Sequence, residues 1–388
     1  MNNFLFDNPT RVHFGEKVEF ELTNELKMFK KILIIYGSNR IKEQKLLSQI
    51  EEFIAINKSE IFYLEGIEPN PKSTKVYEGI KICKEKQIDF LLAIGGGSVI
   101  DTAKAIAIGA KVEHDFFDFF EENIQAYEAL PLGCVLTIAG AGSETNSGMV
   151  ITHVEKQKKL TYGSRYLFPK FVIMNPQFTT TVPMRFTSAG IVDAISHVFE
   201  RYFSNTENTK CLDGMSEGVL RSLFFYGDQL QDGVDNYQLR AELMWASKVA
   251  QDNYLGVGKK QDWASHIIGH ELSARYDYIH GEVMAVIFIA WLKYNVEELE
   301  DKLEQLNRYV FQIDIEDNKS TNMEVISYIE NKFKNWKVPT RLSELGFDEI
   351  EKFDEIATSC VSLMPSGTIG NFIRLKKADI INIFKIAF

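Results

Sequence analysis

Five side chains that can bind divalent metals are clustered in two short segments of the second half of the chain. The segment IVDAISHVFERY contains Asp193 and His197, and the segment WASHIIGHELSARYDYIH contains His266, His270 and His280. The whole chain has seven histidines, so four of the seven fall in these two segments. A carboxylate with imidazoles suits Zn²⁺ or Fe²⁺ better than Ca²⁺ or Mg²⁺, and the lack of a nearby cysteine argues against a closed structural zinc site. The two segments therefore predict a metal site with an open coordination position.

Helical spacing explains how these side chains can meet. At about 100° per residue, Asp193 and His197 lie on one face of a helix, opposite the apolar side chains of Ile195 and Val198. The alternative is that each histidine is a core residue bonded to a carbonyl oxygen. A further alternative is a non-catalytic protein whose helices are stabilised by a metal.

Composition limits the class of protein. A chain of 388 residues with 45% hydrophobic and 25% charged residues predicts a soluble globular protein of two or three domains. A formal charge of −11 makes nucleic acid or an anionic membrane an unexpected partner. The start MNNFLFDNPTRVHFG lacks the pattern of a signal peptide, and the longest apolar run, 283–292, is too short to span a bilayer. Four scattered cysteines without a CxxC pair indicate free thiols, so we expect a cytoplasmic protein.

The two halves of the chain differ in hydrophobic pattern. Short β-rich runs alternate with helical segments in the first half: KKILIIYG, IFYLEGI, IDFLLAIGGGS, GCVLTIAGAGSE and FVIMNP. Beyond Pro183 the pattern has a 3.6-residue period, interrupted by the polar turns SNTENTK, QDGVDNY and IEDNKST. We therefore predict an α/β domain with a parallel sheet over residues 1–183 and an all-helical domain over 184–388. Metal ligands from the helical domain would then face groups of the α/β domain at the interdomain cleft.

The run DFLLAIGGGSVIDTAKAIAIGA predicts a phosphate-binding turn. A buried strand leads into three glycines and then into a helix whose first turn contains Asp101. Backbone amides of Gly96, Gly97 and Ser98 can approach a pyrophosphate there, because no β carbon obstructs the glycines and the helix amino terminus favours negative charge. The run is not a GxGxxG motif, and glycine turns also serve packing alone.

Two further segments are candidates for cofactor contacts. The turn LIIYGSNRIK places Gly37, Ser38, Asn39 and Arg40 where an adenosine ribose could lie. This turn contains no acidic residue to bind a free 2′-hydroxyl, whereas its arginine can pair with a 2′-phosphate. These features favour NADP(H) over NAD(H). The alternative is that the turn is a solvated basic loop. The glycine-rich segment 137–148 adds small residues and hydroxyls. Lys159 follows in a charged run, which by itself favours a surface lysine over a cofactor contact.

Seven segments resemble the iron-containing alcohol dehydrogenase family, and within it the butanol dehydrogenase and NADPH-dependent aldehyde reductase branch. They are NPTRVHFG (8–15), PNP (69–71), GGGSVIDTAK (95–104), AGSETN (141–146), NPQFTTTVP (175–183), AGIVDAISHVFERY (189–202) and HIIGHELSARYDYIHGEVMA (266–285). The resemblance covers nearly the whole chain. It implies the dehydroquinate synthase-like fold and interconversion of short- to medium-chain alcohols and aldehydes, with at least a dimer as the assembly.

The resemblance also implies roles for individual residues. The metal ligands would be Asp193, His197, His266 and His280, whereas His270 would lie near the nicotinamide and relay a proton. The cofactor contacts would be Gly37, Ser38, Asn39, Arg40, Asn70, Gly96, Gly97, Ser98, Asp101, Thr137, Ser143, Lys159 and Thr179. Iron and zinc remain equally compatible with this ligand set.

Two questions about the substrate stay open in the sequence. The aromatic residues Phe199, Trp245, Tyr254 and Trp263 are consistent with an apolar aldehyde, although such residues more often serve helix packing. Glycerol dehydrogenase and dehydroquinate synthase have a similar architecture. The synthase would need basic residues for a phosphate-bearing substrate, for which Lys159, Arg185 and Arg275 are available.

Overall fold

A computed structural model describes residues 1–122, 124–314, 321–362 and 364–388. The chain divides into two compact units: Asp7–Val182, called the sheet unit, and Met1–Phe6 with Pro183–Phe388, called the helical unit. The sequence analysis predicted the domain boundary at residue 183, but it did not predict that Met1–Phe6 group with the helices. The polar turn expected at IEDNKST lies, except for its last residue, outside the described residues.

The sheet unit contains the parallel sheet that the apolar runs predict. Its strands are β1 (Arg11–Phe14), β2 (Lys31–Tyr36), β3 (Glu60–Leu64), β4 (Phe90–Gly95), β5 (Leu132–Leu136), β6 (Gly148–His153), β7 (Lys158–Gly163) and β8 (Phe171–Met174). Six of them form a sheet in the order β1-β8-β5-β4-β2-β3, with every neighbouring pair parallel. Strands β6 and β7 form a separate antiparallel hairpin, which the sequence analysis did not predict.

The helices of the sheet unit follow the strands as crossovers. They are α1 (Leu22–Glu25), α2 (Arg40–Glu43), α3 (Leu46–Ala55), α4 (Ser73–Lys86), α5 (Gly97–Gly109) and α6 (Asp118–Glu121). Strand β4 is buried along its whole length and α5 is buried from Val99 to Gly109. Burial on both faces is why these strands read as continuous apolar runs rather than as alternating patterns.

The carboxyl ends of four strands meet at one edge of the sheet. In the strand register, Tyr36 lies beside Ile94, Gly95 beside Leu136, and Val135 beside Ile173. The turns that follow β2, β4, β5 and β8 therefore start at the same edge. Ligands of parallel α/β sheets bind at this edge, so the fold brings the predicted cofactor segments together.

The helical unit is built around one apolar helix. Its helices are α7 (Met184–Tyr202), α8 (Lys210–Gln231), α9 (Tyr237–Gln251), α10 (Ala264–Tyr276), α11 (His280–Tyr294), α12 (Glu300–Leu306), α13 (Thr321–Asn335), α14 (Phe353–Ser362) and α15 (Lys377–Ala387). Helix α11 is buried continuously from Gly281 to Leu292 and packs against α7, α10, α13 and α15. A helix that is apolar on all sides belongs in the centre of a bundle. The run 283–292, too short to span a bilayer, is this central helix.

Aromatic stacking joins the central helix to α7. The ring of Phe199 stacks on Phe288 with centroids 4.9 Å apart, and Phe203 packs against Trp291 at 5.5 Å. Within the described residues, no helix is both long enough and apolar enough to cross a bilayer. Helices α7 and α10, which carry three of the four predicted metal ligands, share one hydrophobic core with α11.

Candidate metal and cofactor sites

Three helices of the helical unit bring predicted metal ligands together. Helix α7 carries Asp193, α10 carries His266, and α11 begins at His280. One carboxylate oxygen of Asp193 and one ring nitrogen from each histidine all lie within 4.8 Å of one another. Among the residues that the structure describes, this is the one group of three such ligands.

The surroundings of Asp193 fit a bound cation. Its Oδ1 atom is buried and receives no hydrogen bond from the described part of the chain. Ring nitrogens of His197 and His280 lie 3.2 Å and 3.6 Å from this oxygen. A buried carboxylate oxygen without a donor is costly unless a cation satisfies it. One carboxylate with imidazoles is a donor set that suits Zn²⁺ or Fe²⁺.

His197 lies beside the three-ligand group. Its ring centroid is 4.3 Å from that of His266, and its Nδ1 atom is 2.8 Å from the backbone oxygen of Asp193. Because a carbonyl oxygen only accepts, this contact places the proton on Nδ1 and the lone pair on Nε2. Metal-binding histidines are commonly oriented in this way, through a bond from the other ring nitrogen to a carbonyl.

His266 is oriented by a carboxylate that the sequence analysis missed. Its Nδ1 atom lies 2.8 Å from Oε1 of Glu200, and both side chains are buried. Burial raises the pKa of Glu200, while hydrogen bonds from Ser265, Trp263 and His266 oppose that increase. Glu200 is seven residues after Asp193 and three after His197, so all three lie on one face of α7. This spacing is the sequence signal from which Glu200 could have been identified.

His270 is half-exposed at the edge of the group. Its ring centroid lies 5.1 Å from that of His280 and 6.2 Å from that of His266. Trp263 lies on another side of the three-ligand group, with its ring centroid 5.1 Å from that of His266. The other three aromatic candidates lie elsewhere: Phe199 is in the core, Trp245 is exposed beside Lys248, and Tyr254 packs on Phe6.

The glycine turn of the sheet unit fits a phosphate. Helix α5 starts at Gly97. The residue before it, Gly96, has no side chain, so the first turn of the helix has no side-chain cap. A β carbon on Gly97 would lie 2.5 Å from the β carbon of Ala141, so the two turns approach closely only because residue 97 is glycine. The bare amino end of a thirteen-residue helix is a suitable site for a pyrophosphate.

Two other predicted contacts in this region form hydrogen bonds within the protein. The carboxylate of Asp101 accepts from the Ser143 hydroxyl and, at 2.9 Å, from the Val150 N–H. Burial raises the pKa of Asp101. Its carboxylate therefore holds the segment 143–150 against α5.

Lys104, one turn further along α5, was not predicted and is fully buried. Its ammonium group donates to the backbone oxygens of Asn146 and Gly148 at 2.8 Å and 2.7 Å. Burial lowers the pKa of Lys104 to about 8. This lysine and Asp101 together fix the glycine-rich segment from two points.

The remaining cofactor candidates line the same edge. Lys159 donates to Oδ1 of Asn70 at 3.0 Å, so the structure brings these two together although 89 residues separate them. Thr137 follows β5 and donates its N–H to the oxygen of Gly95. The hydroxyl of Thr179 donates to Pro176 within its own turn.

In the turn after β2, the side chain of Arg40 already contacts other residues of the sheet unit. The guanidinium of Arg40 lies 3.4 Å from both the Thr137 oxygen and the Thr181 hydroxyl. Asn39 precedes α2, and Gly37 and Ser38 connect it to β2. An acidic residue does stand nearby: Glu65, at the end of β3, accepts from Tyr36 at 2.7 Å and from Lys42 at 2.6 Å. The turn itself contains no acidic residue, as its sequence indicates, but the fold brings this carboxylate of the neighbouring strand close to it.

A parallel sheet with a glycine turn that fits a phosphate, together with a helical unit that holds a carboxylate-imidazole group, fits the class of dehydrogenases that use a nicotinamide cofactor and a metal. Two family models match the chain: iron-containing alcohol dehydrogenase over residues 9–176, and the carboxy-terminal region of the Fe-containing alcohol dehydrogenase family over 187–388. The chain belongs to the iron-containing alcohol dehydrogenase family, in the butanol dehydrogenase and aldehyde reductase branch. The resemblance seen in the sequence is confirmed.

Individual relatives match over almost their full length. A probable NADH-dependent butanol dehydrogenase 1 of Bacillus subtilis is 40% identical over 99% of each chain. The NADPH-dependent aldehyde reductase YqhD of Escherichia coli is 33% identical over 90% of each. The crystal structure of NADH-dependent butanol dehydrogenase A of Thermotoga maritima superimposes with a TM-score of 0.95 at 33% identity, covering 100% of this chain and 99% of that one. The predicted fold class is confirmed.

Proposed function

We propose that this chain is a metal-dependent alcohol dehydrogenase and aldehyde reductase that interconverts short- to medium-chain primary alcohols and aldehydes with NAD(P)(H). The observation that carries the proposal is the convergence of Asp193, His266 and His280 from three helices. The names of the relatives, butanol dehydrogenases and an aldehyde reductase, support the substrate class.

The helical unit would hold the metal, and the sheet unit would hold the cofactor. A divalent cation would polarise the substrate oxygen, and the reduced nicotinamide would deliver a hydride to the carbonyl carbon. Asp193, His266, His280 and the adjacent His197 would hold the cation. Backbone amides at Gly96, Gly97 and Ser98 would hold the pyrophosphate of the cofactor.

His270 is the proposed proton relay. It is a titratable imidazole outside the three-ligand group, its ring is 5.1 Å from that of His280, and it is half-exposed. A half-exposed imidazole can take a proton from water and donate it to the oxygen of the product alcohol. His270 would thus be the catalytic residue of the site.

The choice of nicotinamide cofactor has two candidates. We propose NADP(H) as the preferred form, because Arg40 stands in the turn after β2, where a 2′-phosphate would lie. NAD(H) is the second candidate, favoured by the carboxylate of Glu65 at the neighbouring strand end, which would repel a 2′-phosphate. Four relatives named NADH-dependent also favour it.

The three basic residues that a dehydroquinate synthase-like enzyme would need for a phosphate-bearing substrate give little support to that function. Arg185 forms a two-point ion pair with Glu282, and Arg275 pairs with Glu355 at 2.6 Å. Lys159 donates to Asn70. Each of the three basic side chains thus already has a partner within the protein.

We also propose a homodimer in a reducing, cytoplasmic compartment. Strand β1 is at the edge of the sheet and pairs only with β8 among the described strands, and an edge strand is a template for pairing with a second copy. The four cysteines are all free thiols, three of them buried. Sedimentation velocity at micromolar concentration tests the assembly, and a monomer would contradict it.

The central experiment is metal analysis of the purified protein with NADH and NADPH oxidation over a panel of aldehydes. We expect about one Zn²⁺ or Fe²⁺ per chain and activity on butanal-like substrates. Chelation should abolish the activity while the far-ultraviolet circular dichroism stays unchanged. If chelation unfolds the protein instead, the metal is structural and the catalytic proposal fails.

A further inference from the structure

We propose that Glu200 is a positioning residue of the metal site, acting through His266. This inference rests on the proposed metal-dependent function. The carboxylate of Glu200 would fix the tautomer and the ring orientation of His266, so that its Nε2 atom is presented to the cation that Asp193 and His280 share. Nothing in the sequence resemblance assigned a role to this residue.

The side-chain oxygens of Glu200 accept hydrogen bonds from two backbone N–H groups and one hydroxyl, and one of them also contacts an imidazole nitrogen. Its Oε1 atom lies 2.8 Å from Nδ1 of His266 and 3.3 Å from the N–H of the same residue, and it also accepts from the Ser265 hydroxyl. Its Oε2 atom accepts from the N–H of Trp263 at 2.6 Å. A group surrounded in this way must be an acceptor on both oxygens, which a carboxylate is and a carboxamide is not.

Those donors also place Glu200 at the amino end of α10. Trp263 and His266 contribute N–H groups of the first turn, where four amides lack partners within the helix. A negative charge at this end is favourable because of the helix dipole. Glu200 therefore joins the start of α10 to α7, the helix that carries Asp193 and His197.

Backbone strain marks the same junction. Trp263 has φ of 68°, a left-handed conformation that is rare for a bulky side chain. Its N–H is held by Glu200, its indole N–H donates to Gln261 at 3.2 Å, and the Arg201 guanidinium lies 5.0 Å above its ring. Strained residues persist where several contacts determine them, commonly at functional sites.

The chemical consequence is a stronger ligand. An imidazole that donates its Nδ1–H to a carboxylate has a fixed tautomer and a more basic Nε2, and loss of such a partner commonly costs 10–100-fold in metal affinity. His197 uses a backbone carbonyl for the same purpose, so within the described structure Glu200 is the carboxylate that orients a ligand from another helix.

The test measures Zn²⁺ affinity rather than activity. The apoprotein of Glu200→Gln would be titrated with Zn²⁺ against a chromophoric chelator, and we expect the dissociation constant to rise roughly 10–100-fold. Glu200→Asp keeps the charge and should recover part of the affinity. Glu217→Gln is the matched control: Glu217 is also a buried acceptor, bonded to Tyr202 at 2.9 Å and to Gln305 at 2.6 Å. This control should leave the Zn²⁺ affinity unchanged.

A double variant separates positioning from general damage. In the His266→Ala background, Glu200→Gln should change the Zn²⁺ dissociation constant by less than threefold, because the ligand on which it acts is gone. An equal loss in both backgrounds would show that Glu200 acts through the fold, and an unchanged constant in the single variant would overturn the proposal directly. Failure of the proposed function would look different, since the wild-type protein itself would then bind no Zn²⁺ or show no chelator-sensitive turnover.

Discussion

The backbone of Gly281 packs so closely against Ala189 that a β carbon at position 281 would lie 2.0 Å from the Ala189 oxygen. Gly281 is the second residue of α11, directly after His280, and Ala189 is four residues before Asp193 on α7. Helices can approach this closely only where a residue lacks a side chain. The contact therefore sets the separation of the helices that present His280 and Asp193.

Gly281→Ala should weaken the metal site and the fold together. The added methyl group must push α11 away from α7, and overpacking of this kind costs about 1–3 kcal/mol. We expect a lower melting temperature and a weaker Zn²⁺ affinity, measured by calorimetry and by chelator competition. Gly214→Ala is the control, because Gly214 lies on the exposed side of α8 and a β carbon there meets nothing within 4 Å. A Gly281→Ala protein with wild-type melting and affinity would contradict the role of this contact.

His266→Ala should abolish turnover and leave cofactor binding largely intact. The proposed metal ligands belong to the helical unit, whereas the glycine turn at Gly96 and Gly97, where we propose that the cofactor phosphate binds, belongs to the sheet unit. Nicotinamide fluorescence on titration with NADPH measures the affinity, and stopped-flow oxidation measures kcat. His114→Ala, at an exposed position of the sheet unit, should retain normal turnover. Normal kcat in His266→Ala would refute the ligand assignment.

Periodic patterns in the sequence predict the structural features that depend only on the spacing of nearby residues. Strand β2 is apolar from Ile32 to Tyr36 because it is covered on both sides, and such a run reads directly as a buried parallel strand. Asp193 and His197 share a helix face by spacing alone. The parallel sheet, the all-helical second half and the grouping of ligand types were therefore accessible without a structure.

Features that depend on a distant partner were not accessible. Strand β7 begins with Lys158 and Lys159, so its sequence resembles a charged loop, and only pairing with β6 identifies it as a strand. Glu200 lies on the ligand face of α7, but the residue it would contact is 66 positions away. Lys104 reads as an ordinary helix lysine, and its burial depends on carbonyl oxygens of the segment 146–148. Pairing across long sequence separations is information that one-dimensional periodicity does not contain.

Arg40→Gln and Glu65→Gln should shift the cofactor preference in opposite directions. Removing the guanidinium deprives a 2′-phosphate of its partner, so kcat/KM with NADPH should fall on the order of tenfold relative to NADH. Removing the carboxylate relieves repulsion, so the NADPH-to-NADH ratio should rise. The measurement is kcat/KM for both cofactors with one aldehyde at saturation. If neither variant changes the ratio, the cofactor choice lies outside this turn.

Asp262 should make the stability of the helical unit depend on pH. Its Oδ1 atom accepts from the N–H groups of Asn371 and Phe372 at 2.6 Å and 2.7 Å, and the side chain is buried. Burial, with the nearby charge of Glu200, raises the pKa of Asp262 to about 7, whereas the unfolded chain releases this proton near pH 4. Between these values the folded state binds the extra proton, so its stability falls as pH rises towards 7 and then levels off.

Replacing the carboxyl group should remove this dependence. Asp262→Asn keeps an oxygen acceptor for Asn371 and Phe372 but cannot ionise. Between pH 5 and pH 8 the wild-type protein should therefore lose more unfolding free energy than the variant does, with a difference on the order of 3 kcal/mol. Urea unfolding of the chelator-treated proteins at the two pH values measures it, with Asp354→Asn, at an exposed position of α14, as the control. Parallel pH dependences of wild type and Asp262→Asn would mean that the Asp262 carboxyl titrates alike in the folded and unfolded chains.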